Sequence, residues 1–324
     1  MKKIRWGMIG TGDVAERKGG PALYRALRSE LIGVTNRKVA KAESFAARHG
    51  GPQVFASVAE MLQCDDVDAV YIATPPESHC ELTLQCAAAG KHVLCEKPMA
   101  LTTGDCEKMI ATCDEHSVSL AVAYYRRCFP VVEKIKELLD QESIGQPLRI
   151  SACTYSQFVA DTETPWRLDG SIGGGGFLMD VGTHRFDLMA YLFGMPTVVK
   201  AIVGTQLLNA SVEDAASIIL EFPNNVQATA SFQWNSPIAR DTLEIVGSRG
   251  ILWTNSLSDE GRLFLETNEE RQEWALPASA PVHLNLVQRF VDHLLDGKPN
   301  PLDGRSGSMA SAITSLCYGE SVAK

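Results

Sequence analysis

A two-domain α/β protein is what this sequence predicts, and three observations carry the prediction. Apolar strand-like runs alternate with helical segments from Ile4 to Ala123, the pattern of a parallel sheet covered on both faces. A glycine-rich turn, Gly10-Thr11-Gly12-Asp13-Val14-Ala15, follows the first of those runs. After Ala123 strand-like runs succeed one another, the sign of a mostly antiparallel sheet. The boundary is placed at that change of texture, giving domains over 1–123 and 124–324.

The first strand is Ile4–Ile9, and the turn after it has the Gly-x-Gly-x-x-Gly/Ala form in its proper context, strand then turn then helix. Gly10 makes the tight turn, Gly12 lets a pyrophosphate approach the backbone, and Ala15 lets helix and strand pack closely. Asp13 can cap the helix, yet it would repel a phosphate unless it turns away. The next strand is Glu30–Thr35, followed by a helix Val39–Arg48 and a strand Val67–Ala73 that ends in Thr74-Pro75-Pro76. A helix Glu77–Ala89 stops at Gly90, and the run His92-Val93-Leu94-Cys95 leads into Glu96-Lys97-Pro98. Thr102–His116 and Ser119–Ala123 complete the alternation as helix and strand. In a parallel sheet covered on both faces the ligand lies outside the carboxyl ends of the strands, and the turn predicts that this ligand is a dinucleotide.

In the second domain a helix Pro130–Asp140 precedes a strand Leu148–Gln157 and a polar and aromatic loop Phe158–Ser171. The run Gly173-Gly174-Gly175-Gly176 opens a helix that ends near Gly194. Strands follow at Val198–Thr205, Ala215–Phe222, Gln227–Trp234, Asp241–Val246, Ile251–Thr254 and Arg262–Leu265, and then helices at His283–Leu295 and Gly307–Glu320. The last of these is expected to pack back on the first domain.

The chain has 324 residues, 45% hydrophobic and 21% charged, and a net charge of −9 without a long acidic or basic block. That balance argues against nucleic acid or an anionic membrane as partner. No apolar run is long enough to span a bilayer, and none precedes Ile4 as a leader would. The nine cysteines include no Cys-x-x-Cys pair, which suits reduced thiols in a cytoplasmic protein and leaves no zinc-ligand spacing, so no metal is expected.

Several residues suit chemistry. Lys97 stands at the end of a parallel strand, where Pro98 biases it toward extended geometry and aims its ammonium. Asp180, His184 and Asp187 fall at i, i+4 and i+7 on one helix face. A histidine between carboxylates can exchange protons near neutral pH, or it can be a structural Asp–His bond. At the end of the second strand, Thr35-Asn36-Arg37-Lys38 contains no acid for a ribose 2′-hydroxyl. Arg37 can instead pair with a 2′-phosphate and Lys38 adds charge, so NADP(H) is expected over NAD.

Taken together, the glycine turn, Ala73-Thr74-Pro75-Pro76, Ala89-Gly90-Lys91-His92-Val93-Leu94-Cys95-Glu96-Lys97-Pro98 and Gly174-Gly175-Gly176-Phe177-Leu178-Met179-Asp180-Val181-Gly182-Thr183-His184 resemble the Gfo/Idh/MocA family. The resemblance runs along essentially the whole chain. It implies a doubly wound Rossmann domain followed by an α/β domain with an open, mostly antiparallel mixed sheet, NAD(P)-dependent hydride transfer on a sugar, polyol or related small molecule, and homodimers or homotetramers formed through the second-domain sheet. It also aligns Lys97, Asp180 and His184 with the family's catalytic lysine, aspartate and histidine. Either Lys97 or His184 can be the proton carrier, and Asp180 would orient the substrate. The residues expected around the dinucleotide are Gly10, Thr11, Gly12, Asp13 and Val14, then Asn36, Arg37 and Lys38. Thr74, Pro75, Pro76 and His79, with Glu96, Lys97, Trp166 and Arg167, complete that set. Pro76 departs from the asparagine many relatives carry. Two other readings share the fold: an inert NADP-binding regulator, and a glycoside hydrolase that recycles bound NAD.

Overall fold

The computed structural model describes residues 2–158, 165–208, 210–257 and 261–319. Residues 159–164 of the expected loop and Glu320 of the expected last helix lie outside the described residues. The chain forms two compact units, Met1–Tyr125 with Ser279–Ser308, and Arg126–Ala278 with Met309–Lys324.

The first unit is built on six strands: β1 (Ile4–Ile9), β2 (Ser29–Thr35), β3 (Gln53–Val54), β4 (Ala69–Ile72), β5 (His92–Cys95) and β6 (Leu120–Val122). They lie in the order β3-β2-β1-β4-β5-β6, and every pairing is parallel. This is the doubly wound order, with its switch between β1 and β4. Parallel strands bury both faces, which is why they read as continuous apolar runs. Met8, Val70, Tyr71 and Val93 are all fully buried. Buried Trp6 satisfies its indole N–H by donating to Ser29 Oγ at 2.9 Å. The turn after β1, the Thr74 loop after β4 and Lys97 after β5 therefore leave the same edge of one sheet.

Two elements here are too short for periodicity to announce: β3 and the helix Val58–Leu62, which Ser57 caps by accepting from Glu60 N–H at 3.1 Å. The segment from Ser279 also departs from expectation, since it belongs with the first unit. Its helix Leu284–Asp296 buries Leu286, Val287, Phe290 and Val291, and the Phe290 ring lies 6.1 Å from that of Trp6. Arg28 locks the helix from outside, 3.1 Å from Asp292 and 2.6 Å from Asp296. Helical spacing revealed the apolar face, but not the surface it covers. The last helix starts at Gly304 and runs to Cys317. Only its first residues, to Ser308, fall in the first unit. There Gly307 lies on Val122, whose Cγ2 would be 2.6 Å from an added Cβ.

The second unit holds an eight-stranded sheet: β7 (Pro147–Ser156), β8 (Val198–Gly204), β9 (Ala215–Phe222), β10 (Val226–Trp234), β11 (Arg240–Gly247), β12 (Gly250–Thr254), β13 (Arg262–Thr267) and β14 (Arg271–Ala275). The order is β14-β13-β12-β11-β7-β10-β9-β8, with β7 and β10 parallel and the other pairs antiparallel. One face supplies a core of Ile150, Ile218, Leu220, Phe232 and Ile245. The helix Thr183–Phe193 packs there, with Phe186 edge-on to Phe232 at 5.8 Å. The opposite face carries exposed Ile202 and Ile219.

Candidate active site

The glycine turn is tight at its first glycine and open at its second. Gly10 has φ of +93°, and a Cβ there would lie 2.7 Å from the Ala73 carbonyl oxygen. A Cβ on Gly12 would meet nothing within 4 Å, so the second glycine faces open space, as a phosphate-bearing ligand needs. The chain then enters a π-helical turn, Ala15–Gly19, before the α-helix Gly20–Arg25; such turns concentrate at functional sites. The Asp13 carboxylate accepts from Arg17 at 2.6 Å, one helical turn on, so its charge is drawn to a cation. Beside the turn, Glu16 accepts from Arg48 at 2.8 Å and faces His49 at 2.9 Å, and the hydrogen bonds from Arg48 first and His49 second pull its carboxyl down to about 2.

At the end of β2, Asn36 donates from Nδ2 to Thr11 Oγ1 and accepts from Lys38 N–H, both at 2.9 Å. Asn36 is thereby locked to the glycine turn, while Arg37 and Lys38 are exposed beyond it. After β4, the Ser78 hydroxyl donates to Thr74 Oγ1 at 2.7 Å. Pro76 starts a short 3-10 turn, Pro76–Ser78, and its side chain is buried. His79 is completely buried, with Nε2 2.9 Å from the Thr74 carbonyl and Nδ1 2.9 Å from that of Pro98. It clasps the loop after β4 to the loop after β5, and burial pushes its imidazole below its ordinary pKa. Lys97 is half-buried, and the Glu96 side chain turns inward to accept from Tyr71 Oη at 2.5 Å.

In the second unit, Asp169 opens the short helix Gly170–Gly173 by accepting from Ser171 N–H at 2.9 Å. Gly174 ends it with φ of +82°, a conformation that suits glycine. The expected single helix is divided: a π-helical turn Leu178–Gly182 carries Asp180, and the α-helix Thr183–Phe193 carries His184. The amino end is held by Glu213. Its carboxylate accepts from Gly176 N–H at 2.7 Å, Leu178 N–H at 2.9 Å and the Tyr318 hydroxyl at 2.8 Å. This is an internal anion at the positive end of a helix.

Asp180 lies 3.7 Å from Arg167 Nε, and Arg167 stacks on Trp166 at 5.5 Å. Those three predicted residues are therefore neighbours, and His184 is buried one turn along. Asp187 does not share their role. It is fully buried against Arg127, with Nε 2.9 Å from its carboxylate, and burial lifts its carboxyl to about 6 against the pull of that cation. Arg126 donates to Asp241 at 3.2 Å, and Arg185 pairs with the same carboxylate. Both arginines that open the second domain thus work inside it. Sequence reading missed Glu213 and Tyr318 as partners of the glycine run. The one signal was Glu213-Asp214, two acids directly before an apolar strand and both buried.

Lys97 stands on the first unit, and Asp180 and His184 on the second. Among the described residues no group of three His, Cys, Asp or Glu side chains is arranged to hold a metal, and no helix is long and apolar enough to cross a membrane.

Comparison with known proteins accounts for both units. Residues 4–124 match the oxidoreductase family with an NAD-binding Rossmann fold, and residues 132–253 match the GFO/IDH/MocA C-terminal domain. The chain is 32% identical to Oxidoreductase P35 of Formosa agariphila, over 98% of this chain and 99% of that protein. It is 29% identical to the trans-1,2-dihydrobenzene-1,2-diol dehydrogenase of Sus scrofa, over 76% of this chain and 73% of the relative. Among solved structures, a variant of a 3-ketoreductase from Actinomadura kijaniata, in complex with TDP-benzene and NADP, superposes with a TM-score of 0.85 at 25% identity, covering 98% of each chain. An open glycine turn after β1, a lysine beyond β5 and matches to both domain models lead to one assignment: this chain belongs to the Gfo/Idh/MocA family of NAD(P)-dependent oxidoreductases.

Proposed function

We propose that this protein transfers a hydride between NADP(H) and a hydroxyl or carbonyl carbon of a sugar, polyol or related small molecule. The observation that carries the reading is the common edge of the first sheet. There the open glycine turn after β1 and the Thr74 loop after β4 flank the switch point where such sheets bind dinucleotides, and Lys97 stands one strand beyond it, after β5. The dinucleotide supplies or accepts the hydride when bound. Exposed Arg37 and Lys38, beside an Asn36 tied to Thr11, suit a 2′-phosphate and offer no acid to a ribose hydroxyl.

Lys97 donates a hydrogen bond to the substrate oxygen and stabilises the charge that develops there. His184 takes the hydroxyl proton in oxidation and returns it in reduction. Asp180, backed by Arg167, orients the substrate and favours a protonated His184. Trp166 and Arg167 present a polar, aromatic wall suited to a sugar-sized molecule. The exposed Ile202 and Ile219 on the outer face of the second sheet suit a homo-oligomeric contact. Nine free thiols suit a cytoplasmic setting.

The test is a spectrophotometric screen of aldoses, ketoses, polyols, diols and anhydro-sugars with each cofactor. Net change in reduced cofactor is expected, with kcat/KM at least about tenfold higher for NADPH than for NADH. Lys97→Met and His184→Asn are expected to lower kcat by about 100-fold or more. A rate near that of the unmodified protein in either variant removes that residue from the mechanism. Aglycone release without net cofactor change would replace the reading with a hydrolase.

A further inference from the structure

One buried titratable group has no step in the hydride-transfer reading, yet it touches both loops that frame the reaction. His79 is 0% exposed and is the first residue of the helix His79–Ala88. Its ring lies between two main-chain oxygens. Nε2 is 2.9 Å from the Thr74 carbonyl, in the loop after β4, and Nδ1 is 2.9 Å from the Pro98 carbonyl, in the loop after β5. Neither carbonyl meets another hydrogen-bond donor among the described residues. A carbonyl oxygen can only accept, and a neutral imidazole carries one N–H and one lone pair. The ring therefore satisfies one of the two oxygens and turns a lone pair toward the other.

The two oxygens are not equivalent. Pro98 is buried and Thr74 is half-buried. A buried carbonyl left without a donor is costly, whereas one near the surface can turn to water. The Thr74 loop also has ties of its own. Ser78 N–H donates to the Pro75 carbonyl at 3.2 Å, and the Ser78 hydroxyl donates to Thr74 Oγ1 at 2.7 Å. Pro98 has no N–H to offer, so its carbonyl is the hydrogen-bonding group that it brings to its loop. Lys97 stands directly before it. On the other side the Lys97 N–H donates to Glu96 Oε2 at 3.2 Å. Glu96 Oε1 in turn accepts from the Tyr71 hydroxyl at 2.5 Å and lies 3.7 Å from His283 Nδ1. The main chain of Lys97 is thus held ahead by Glu96 and behind by His79.

We propose that His79 is a positioning residue for Lys97: its neutral ring carries the proton on Nδ1, and that N–H fixes the Pro98 carbonyl and with it the main chain from which the Lys97 side chain leaves. The assignment rests on the role of Lys97 given above. Burial holds this imidazole below its ordinary pKa against the pull of the two carbonyls, which keeps a second proton off the ring. Asparagine and glutamine separate the two contacts. The amide of His79→Asn reaches the place of Nδ1, and that of His79→Gln the place of Nε2.

The ring itself is the first readout. The intact protein is isotope-labelled at histidine, and the His79 nitrogens are followed by long-range proton–nitrogen correlation at pH 8. A protonated Nδ1 and a bare Nε2 are expected. A proton on Nε2, or on both nitrogens, overturns the proposal whatever the activity. The variants are the second readout. In His79→Gln, amide hydrogen exchange across Lys97–Ala100 should quicken, and kcat should fall about tenfold or more while KM for NADPH stays within about threefold. His79→Asn, which restores a donor to Pro98, should keep both near the unmodified values. The reverse pattern overturns the proposal. So do equal effects in the two variants, because the ring would then serve packing alone. If neither variant folds, the nitrogen signals decide. The expected signals and exchange pattern in a protein that turns over no compound of the sugar panel would uphold the clasp on the Lys97 loop and remove the proposed function instead.

Discussion

Two glycine-led turns in this molecule look alike as sequence and serve opposite ends. After Gly10-Thr11-Gly12 and after Gly173-Gly174-Gly175-Gly176 the chain enters a π-helical turn and then an α-helix. At the first, the Cβ position of Gly12 opens on free space, and the nearest acid in sequence, Asp13, is drawn to Arg17. At the second, a Cβ on Gly176 would lie 1.9 Å from the Glu213 carbonyl oxygen, and Glu213 also fills the helix end with its own carboxylate. Both exploit the positive end of a helix. The first is left open, and the second is closed by an anion of the chain. Glycine in the first leaves open space; in the second it admits another stretch of backbone.

Alanine at the two positions gives the sharpest test. Gly176→Ala drives a methyl group into backbone that cannot yield, and is expected to cost at least about 4 kcal/mol, leaving little folded protein by circular dichroism. Gly12→Ala should leave the melting temperature within about 2 °C and weaken NADPH binding about tenfold or more by fluorescence titration. Equal loss of stability in both variants would break the contrast.

The second helix is also held at its middle, by the buried Arg127–Asp187 pair. Arg127→Met leaves a buried carboxylate alone and should cost about 3–5 kcal/mol in chemical unfolding. A cost below about 1 kcal/mol would mean that the pair is not what anchors the helix. Glu213→Gln is milder, because an amide can still accept one of the two N–H groups. A loss of about 1–3 kcal/mol is expected, with kcat reduced and the dissociation constant for NADPH unchanged. Tyr318→Phe removes one of Glu213's three hydrogen bonds and should cost about 1 kcal/mol.

The smallest effect concerns the first turn. Arg48 and His49 hold the Glu16 carboxyl at about 2 against an ordinary 4.5. A lowered carboxyl stabilises the fold above its unfolded value, and that contribution is lost as pH falls from 4.5 through about 2. Arg48→Met should therefore narrow its stability difference from the unmodified protein as pH drops across that window, read by urea unfolding. A difference that stays constant with pH would show that the ion pair is not coupled to folding.

Much of the architecture was legible because it rests on local pattern. The β1, β4 and β5 strands read as apolar runs, and Gly10, Gly12 and Lys97 declared themselves by their place after such runs. The stripe Asp180–His184–Asp187 was legible as a spacing but not as a function. A π-helical turn divides it, and Arg127 claims Asp187 from a distant part of the chain. His79 read as a residue near the cofactor, and what spacing did not show is that its ring is taken by two backbone carbonyls.

The sequence by itself determined the alternation of strand and helix, the positive-φ turn at Gly10 and the absence of an acid among Thr35-Asn36-Arg37-Lys38, since each depends on residues within one turn or one strand of each other. Only the tertiary structure decided that the Ser279–Ser308 segment joins the first unit, that Glu213 closes the second glycine turn, and that Glu96 faces Tyr71 and His283 rather than solvent. These depend on which buried polar group meets which partner across long separations, and a buried charge is satisfied by whatever the fold brings within about 3 Å, not by its neighbours in the chain.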